Sequence, residues 1–317
     1  MQNGIVTGCA GFIGSHLVDE LLQNDWKIFG CDNFHSYYSR KLKEHNLINA
    51  KRSKNFSFIE GSILSENDLE KFTEATDYLF HYAAIAGVRN SILHPEEYFK
   101  INLDGTKKLL QRFPNIKKII FASTSSVYGE VNLEDFPVKE THQLNPLSPY
   151  GESKKQAEEF CQKFADENGV ELTILRFYTV YGPRQRPDEA FTKFIRLILD
   201  GKPIPVYGDG NKERDFTYVS DIVNGLLLVA KKGTGIYNLG TNHPVTVNHM
   251  ISTIEKLMKQ KIQKEFVKSP TGDVQKTHAD ITKAQQELDY FPKISFEEGV
   301  KNCIEWCKET QNIASST

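Results

Sequence analysis

Short apolar runs and stretches of helical periodicity take turns along the first half of the chain. Ile5-Val6-Thr7, Lys27-Ile28-Phe29-Gly30-Cys31, Phe56-Ser57-Phe58-Ile59, Asp77-Tyr78-Leu79-Phe80-His81, Lys118-Ile119-Ile120-Phe121-Ala122 and Leu172-Thr173-Ile174-Leu175-Arg176 have the length and side chains of buried strands. Between them apolar residues recur at helical spacing: Leu17, Val18, Leu21 and Leu22; the stretch Glu97 to Phe113; and Ala157, Phe160 and Phe164 within 150–168. Strands alternating with helices over this length predict an α/β fold with a parallel, doubly wound sheet. After Thr179-Val180-Tyr181-Gly182 the rhythm changes. A stiff basic segment, Pro183-Arg184-Gln185-Arg186-Pro187, leads to a helix from Ala190 to Leu199 and a Gly/Pro-rich stretch from Gly201 to Gly210. Helices near 221–231, 247–259, 281–289 and 296–308 then predict a smaller mixed lobe.

Charge narrows the partners. Thirty-nine basic residues against 41 acidic leave a net charge of −2 over 317 residues, which gives no global pull toward nucleic acid or a membrane surface. Phosphate binding must therefore be local. The polar stretch Asn33 to Asn55, with Arg40, Lys41, Lys43, Lys51, Arg52 and Lys54, reads as a solvated helix and loop. No apolar run approaches the ~20 residues needed to span a bilayer. The chain enters a strand at once, so no signal peptide is expected, and five cysteines without CxxC spacing fit a reducing cytosol.

Candidate chemistry sits at the strand ends. Gly8, Gly11 and Gly14 recur every third residue between the first strand and a helix. That context suits a pyrophosphate, because no Cβ blocks close approach and helix-end N–H groups donate to it. Asp32 ends the second strand, 18 residues past Gly14, where a carboxylate accepts ribose hydroxyls and repels a 2′-phosphate. NAD is therefore expected over NADP. Small residues at Ala83 and Ala84 let a flat cofactor pass, while His81 fits a satisfied strand-end histidine. Ser123, Thr124, Ser125 and Ser126 place four hydroxyls at a strand's C-terminal end. Tyr150 and Lys154 stand four apart at a helix start and share one helical face. A free phenol titrates near pH ~10. A nearby ammonium, with a cofactor cation alongside, favours the phenolate. Without a cofactor close by, the same pair is an ordinary one on a solvated helix.

TGCAGFIG (7–14), Asp32, STSSVYG (123–129), YGESK (150–154), RFYTVYGPRQRPD (176–188) and RDFTYVSD (214–221) together resemble the extended short-chain dehydrogenase/reductase family. Within it the chain is most similar to nucleotide-sugar epimerases of the UDP-glucuronate 4-epimerase kind. The resemblance implies a Rossmann-type NAD domain over 1–178, with 215–240 returning to it, and a UDP-sugar domain over 179–214 and 241–317. It implies cofactor contacts from Gly8, Gly11, Phe12, Ile13, Gly14, Asp32, Asn33, Ser62, Ile63, Ala83, Ala84, Asn102, Ser123, Tyr150 and Lys154. Substrate contacts are implied for Arg89, Thr124, Ser125, Ser126, Tyr150, Thr179, Arg184, Arg186, Val206, Tyr207, Arg214 and Asp273. Tyr150 would take the proton of the sugar 4-hydroxyl, Lys154 would hold the nicotinamide ribose and depress the phenol, and Thr124 would bond the 4-oxygen. Hydride passes to tightly held NAD and returns to the other face of a 4-keto sugar. Arg214 would hold the diphosphate. A homodimer through a helix bundle including 150–168 is implied as well.

Two departures and one comparison refine this. Ser62 stands where many relatives have an acid touching adenine, and the segment Ser269 to Asp273 lacks the arginine that some relatives place before Gly-Asp. Ser125-Ser126 replaces the carboxylates that related dehydratases and decarboxylases carry after the threonine, and neither serine is a carboxylic acid or base. Oxidising C4 of a glucuronate gives a β-keto acid prone to losing CO₂, so neutral donors from Ser125, Ser126 and Thr179 would have to hold the carboxylate. Arg89 is a candidate gate or a structural ion pair. UDP-glucose and UDP-N-acetylglucosamine remain alternative substrates. A reductase, a dehydratase or a non-catalytic NAD-binding regulator are further alternatives.

Overall fold

The computed structural model describes residues 1–72, 76–269 and 273–314. Seven parallel strands form the central sheet. Across it they run Gly235–Leu239, Glu171–Phe177, Lys118–Thr124, Tyr78–His81, Asn3–Thr7, Lys27–Asp32 and Phe56–Glu60. The order reverses between Asn3–Thr7 and Tyr78–His81, and that switch point opens a crevice at the strands' C-terminal ends. The edge strand Gly235–Leu239 comes from beyond the change of rhythm at 179.

Alternation along each strand builds a core on both faces. Ile5, Leu79, Ile119, Phe121 and Ile174 pack with Ala157, Cys161 and Phe164 of the helix Pro149–Asn168. Val6, Phe80, Ile120 and Leu175 face the opposite way, toward Leu17 and Leu21 of the helix Phe12–Gln23 and Ile222 and Leu226 of the helix Val219–Lys232. The Pro149–Asn168 helix starts sharply. Ser148 accepts from the Gly151 amide at 3.1 Å, Pro149 fills the first turn, and Gly169 ends the helix at φ 65°. Such a serine cap is worth about 1 kcal/mol.

The stretch Glu97 to Phe113 departs from the single helix that its periodicity predicts. Phe99–Asp104 is a π-helical turn between Pro95–Tyr98 and Gly105–Arg112. It carries Asn102 inward, where the side-chain amide bonds both the N–H (2.8 Å) and the C=O (3.0 Å) of Ile85. The smaller lobe pairs Ile204–Tyr207 with Lys264–Val267 and Glu213–Arg214 with Val245–Thr246. The rings of Tyr181, Phe191, Phe216 and Phe296 lie 4.5 to 6.2 Å apart, mostly edge-on or tilted, and weld this lobe to the sheet. All five cysteines are free and buried. No helix among the described residues is long and apolar enough to cross a membrane.

Candidate active site

A cleft of about 660 Å³ runs along the strand ends beneath the smaller lobe. Its first arm is the glycine turn. Gly8 adopts φ 68°, and a Cβ there would lie 2.8 Å from the Ala83 nitrogen. A Cβ on Gly14 would fall on the Gly8 carbonyl oxygen. Gly11 caps the following helix with no side-chain bond, so the amides of its first turn face the turn. Gly8, Gly11, Phe12, Ile13 and Gly14 line the cleft. Asp32 accepts from the amides of Ala10 (3.1 Å) and Phe34 (2.8 Å). Burial pushes its carboxyl up, opposed by Lys43 and these two amides. Lys43 is itself buried, bonds the His35 carbonyl at 2.6 Å and lines the cleft, so it does not share the solvated face expected for 33–55. Its charge opposes the effect of burial on Asp32. Asn33, Ser62, Ile63, Ala83 and Ala84 complete this wall. Asn102 does not reach it; held behind the Ile85 backbone and bonded to the Ser153 hydroxyl at 3.1 Å, it shapes the wall indirectly.

The second arm brings Ser123, Thr124, Ser125 and Ser126 against Tyr150 and Lys154. The Thr124 hydroxyl accepts from the Ser126 amide at 3.1 Å and bonds the Ser126 hydroxyl at 3.2 Å, and it is near enough to the Tyr150 phenol to act on it. Burial pushes the phenol above its usual range, while Thr124 and then Arg186 pull it back. The helical spacing predicts instead that Lys154 lowers it. The Lys154 ammonium is turned into the sheet, 4.0 Å from the Phe121 ring centroid, and burial lowers it to about 8. Of the two charges expected to act on the phenol, the lysine's is not among its main influences. His81 is satisfied on both ring nitrogens, by Thr7 (2.8 Å) and Thr106 (2.9 Å), and burial lowers it to about 3. It is a structural histidine.

The third arm belongs to the lobe. Arg89 lies 3.9 Å from the Tyr207 ring centroid, spanning from the sheet side to the lobe. Thr179 lines the same cleft as Ser125 and Ser126. Arg186 also lines it, clamped by Asp188 (3.0 Å) and Glu189 (2.9 Å). Arg214 and Lys212 converge on Asp273, at 2.6 and 3.0 Å. Two expected contacts are absent. Arg184 points away and pairs with Asp19 of the Phe12–Gln23 helix at 2.7 Å, because its backbone takes φ 66°. Val206 is fully buried, since strand alternation turns Tyr207 rather than Val206 to the cleft. The segment 270–272, which bears on the missing arginine, lies outside the described residues. Lys43, Asp188, Glu189, Lys193 and Lys212 also line the cleft. Only Lys193 had a sequence signal, as a polar position among Phe191, Phe194, Ile195 and Ile198.

The sequence profile of the NAD dependent epimerase/dehydratase family matches residues 5–240. The chain belongs to that family. A UDP-glucuronate 4-epimerase from Thermodesulfobacterium geofontis is 37% identical over 319 residues, covering 98% of each chain. The crystal structure of the UDP-glucuronic acid 4-epimerase from Bacillus cereus, with UDP-glucuronic acid and NAD, superposes with a TM-score of 0.92 at 37% identity. It covers 97% of this chain and 99% of that one. A UDP-glucose 4-epimerase from Thermotoga maritima, solved with UDP-glucose, superposes with a TM-score of 0.90 at 36% identity, covering 98% and 100%. Family membership agrees with the glycine turn, Asp32 and the Tyr150–Lys154 helix occupying one cleft.

Proposed function

We propose that the chain is an NAD-dependent UDP-sugar 4-epimerase acting on UDP-glucuronate. One observation carries the substrate assignment: Ser125, Ser126 and Thr179, three hydroxyl residues, line the same cleft as Thr124 and Tyr150. The turn from Gly8 to Gly14, where a Cβ at Gly8 or Gly14 would collide with backbone, and Asp32 at the neighbouring strand end fit a dinucleotide without a 2′-phosphate. When bound, NAD supplies the hydride acceptor and donor for the sugar's C4. Tyr150 takes the proton of the 4-hydroxyl and later returns it, with Thr124 holding the oxygen in line. Lys154 keeps a positive charge beneath the phenol. Ser125, Ser126 and Thr179 hold the C6 carboxylate by neutral hydrogen bonds and restrain it from the geometry that expels CO₂. Arg214 and Lys212 meet the diphosphate, where charge-assisted bonds are strongest. The carboxylates of Asp188 and Glu189 are engaged by Arg186, which leaves Tyr150 as the base beside Thr124.

The same reading assigns 1–178 with 215–240 to the cofactor and 179–214 with 241–317 to the sugar nucleotide. It pairs two copies through the Pro149–Asn168 helix and places the enzyme in the cytoplasm. Incubation with UDP-glucuronate, UDP-glucose and UDP-N-acetylglucosamine separates the substrates. Conversion of UDP-glucuronate to UDP-galacturonate is expected. Epimerisation of the neutral sugars alone would overturn the substrate assignment.

A further inference from the structure

One residue below Thr124, a row of buried polar side chains crosses three strands. Ser123 stands in register with Arg176, and Arg176 with Asn238. Glu158, on the helix of Tyr150 and Lys154, ties the row together. Its carboxylate accepts from the Ser123 hydroxyl, from Arg176 Nη2 at 2.7 Å and from Arg176 Nε at 3.2 Å. Arg176 Nη1 donates to the Tyr128 hydroxyl (3.1 Å) and the Glu140 carbonyl (2.9 Å), and Tyr128 donates to Asn238 Oδ1 at 2.7 Å. Ser123, Tyr128, Glu158, Arg176 and Asn238 are at most 4% exposed.

Stability alone is a weak reason for such a pair, because well-packed apolar residues usually replace a buried ion pair without loss. Its placement suggests another reason. The strand Lys118–Thr124 ends on Thr124, the strand Glu171–Phe177 leads to Thr179, and the helix carries Tyr150 and Lys154. Glu158 and Arg176 are the side chains that join all three. We propose that Glu158 and Arg176 are positioning residues, which lock these elements so that the Thr124 hydroxyl stays on the Tyr150 phenol and the Lys154 ammonium stays one turn above Glu158. The kinetic part of this proposal rests on the epimerase reading; the placement of Lys154 does not.

Lys154 provides a second readout, because the Glu158 carboxylate stands one helical turn from it and acts on its charge. Glu158, Cys161 and Tyr150 share its helix, and His81 faces it from the strand Tyr78–His81. Burial lowers the ammonium, while Cys161 and Glu158 act upward. The test uses the NAD-loaded protein, E158Q and the double variant E158L/R176M. For E158Q, kcat should fall roughly tenfold to a hundredfold, as for a small misplacement of reacting groups, with KM for UDP-glucuronate little changed. The Lys154 titration midpoint should move to lower pH, read by NMR of ε-carbon-labelled lysine and assigned by its loss in K154M. The double variant removes both charges, so its Tm should return to that of the wild type while kcat stays low. A double variant with wild-type Tm and wild-type kcat, or an E158Q protein with an unmoved Lys154 midpoint, would overturn the proposal. If E158Q does not fold, the double variant decides. If the wild type epimerises none of the three UDP-sugars, the functional reading fails and the Lys154 midpoint alone decides.

Discussion

At the scale of single residues, the proposed reaction turns on a phenol, Tyr150, whose protonation is set by its neighbours. Burial holds Tyr150 protonated, and the nearby Thr124 hydroxyl is the first influence in the other direction. Tyr150→Phe keeps the ring packed edge-on against Tyr98, at 6.1 Å between centroids, and removes only the acidic oxygen. Turnover should fall by roughly 10²–10⁴-fold, the usual contribution of a positioned acid–base group, while NAD carried through desalting stays unchanged. Retained turnover would remove Tyr150 from the chemistry. Arg214 offers a contrasting case. Its guanidinium is already fixed by Asp273 and by the carbonyls of Glu213 and Val274, so its geometry is set before substrate arrives. Arg214→Met should raise KM about 10- to 100-fold, the loss of one or two charge-assisted bonds, with kcat nearly preserved. An unchanged KM would place the diphosphate elsewhere.

At the scale of elements, the glycine turn and the Pro149–Asn168 helix each present a preformed surface. The turn is packed too tightly for any side chain at position 14. Gly14→Ala should therefore abolish NAD retention, measured by absorbance after desalting, while the sheet still folds. Full retention would mean that the turn is not the pyrophosphate cradle. These two elements were legible in the sequence because their information is local: glycines three apart after a strand, and Tyr150 and Lys154 one helical turn apart. What stayed hidden depended on phase or on convergence. A four-residue strand does not reveal whether Val206 or Tyr207 faces inward, and the backbone twist at Arg184 leaves no signature that tells it from Arg186. Asn102 lies in a π-helical turn that periodicity reads as ordinary helix. Lys43 and Lys212 meet their acidic partners only through tertiary folding. Helical spacing puts Tyr150 and Lys154 on a shared face but does not tell where the long lysine chain ends, which here is against the Phe121 ring.

At the scale of the whole molecule, the Phe12–Gln23 helix and the segment 183–187 are fastened together. His16 donates from Nε2 to the Pro183 carbonyl at 2.9 Å, and Asp19 holds Arg184 beside it. Burial and the Arg184 charge lower His16 to about 4. An unfolded chain protonates this histidine below about 6.5, whereas the folded one does not until about 4, so stability must fall as pH drops through that window. His16→Gln keeps a donor to Pro183 and removes the titration. Its Tm should drop less between pH 7 and pH 5 than that of the wild type, and equal drops would show that His16 is not buried neutral. The fastening also bears on catalysis, since a sugar that is oxidised and re-reduced at one carbon must stay in a closed cleft between the two lobes. The most direct measurement follows that carbon. Purified protein, desalted and given UDP-glucuronate in D₂O with no added cofactor, should form UDP-galacturonate that retains the original hydrogen at C4, read by proton NMR. Absence of product, or deuterium at C4, would contradict the account.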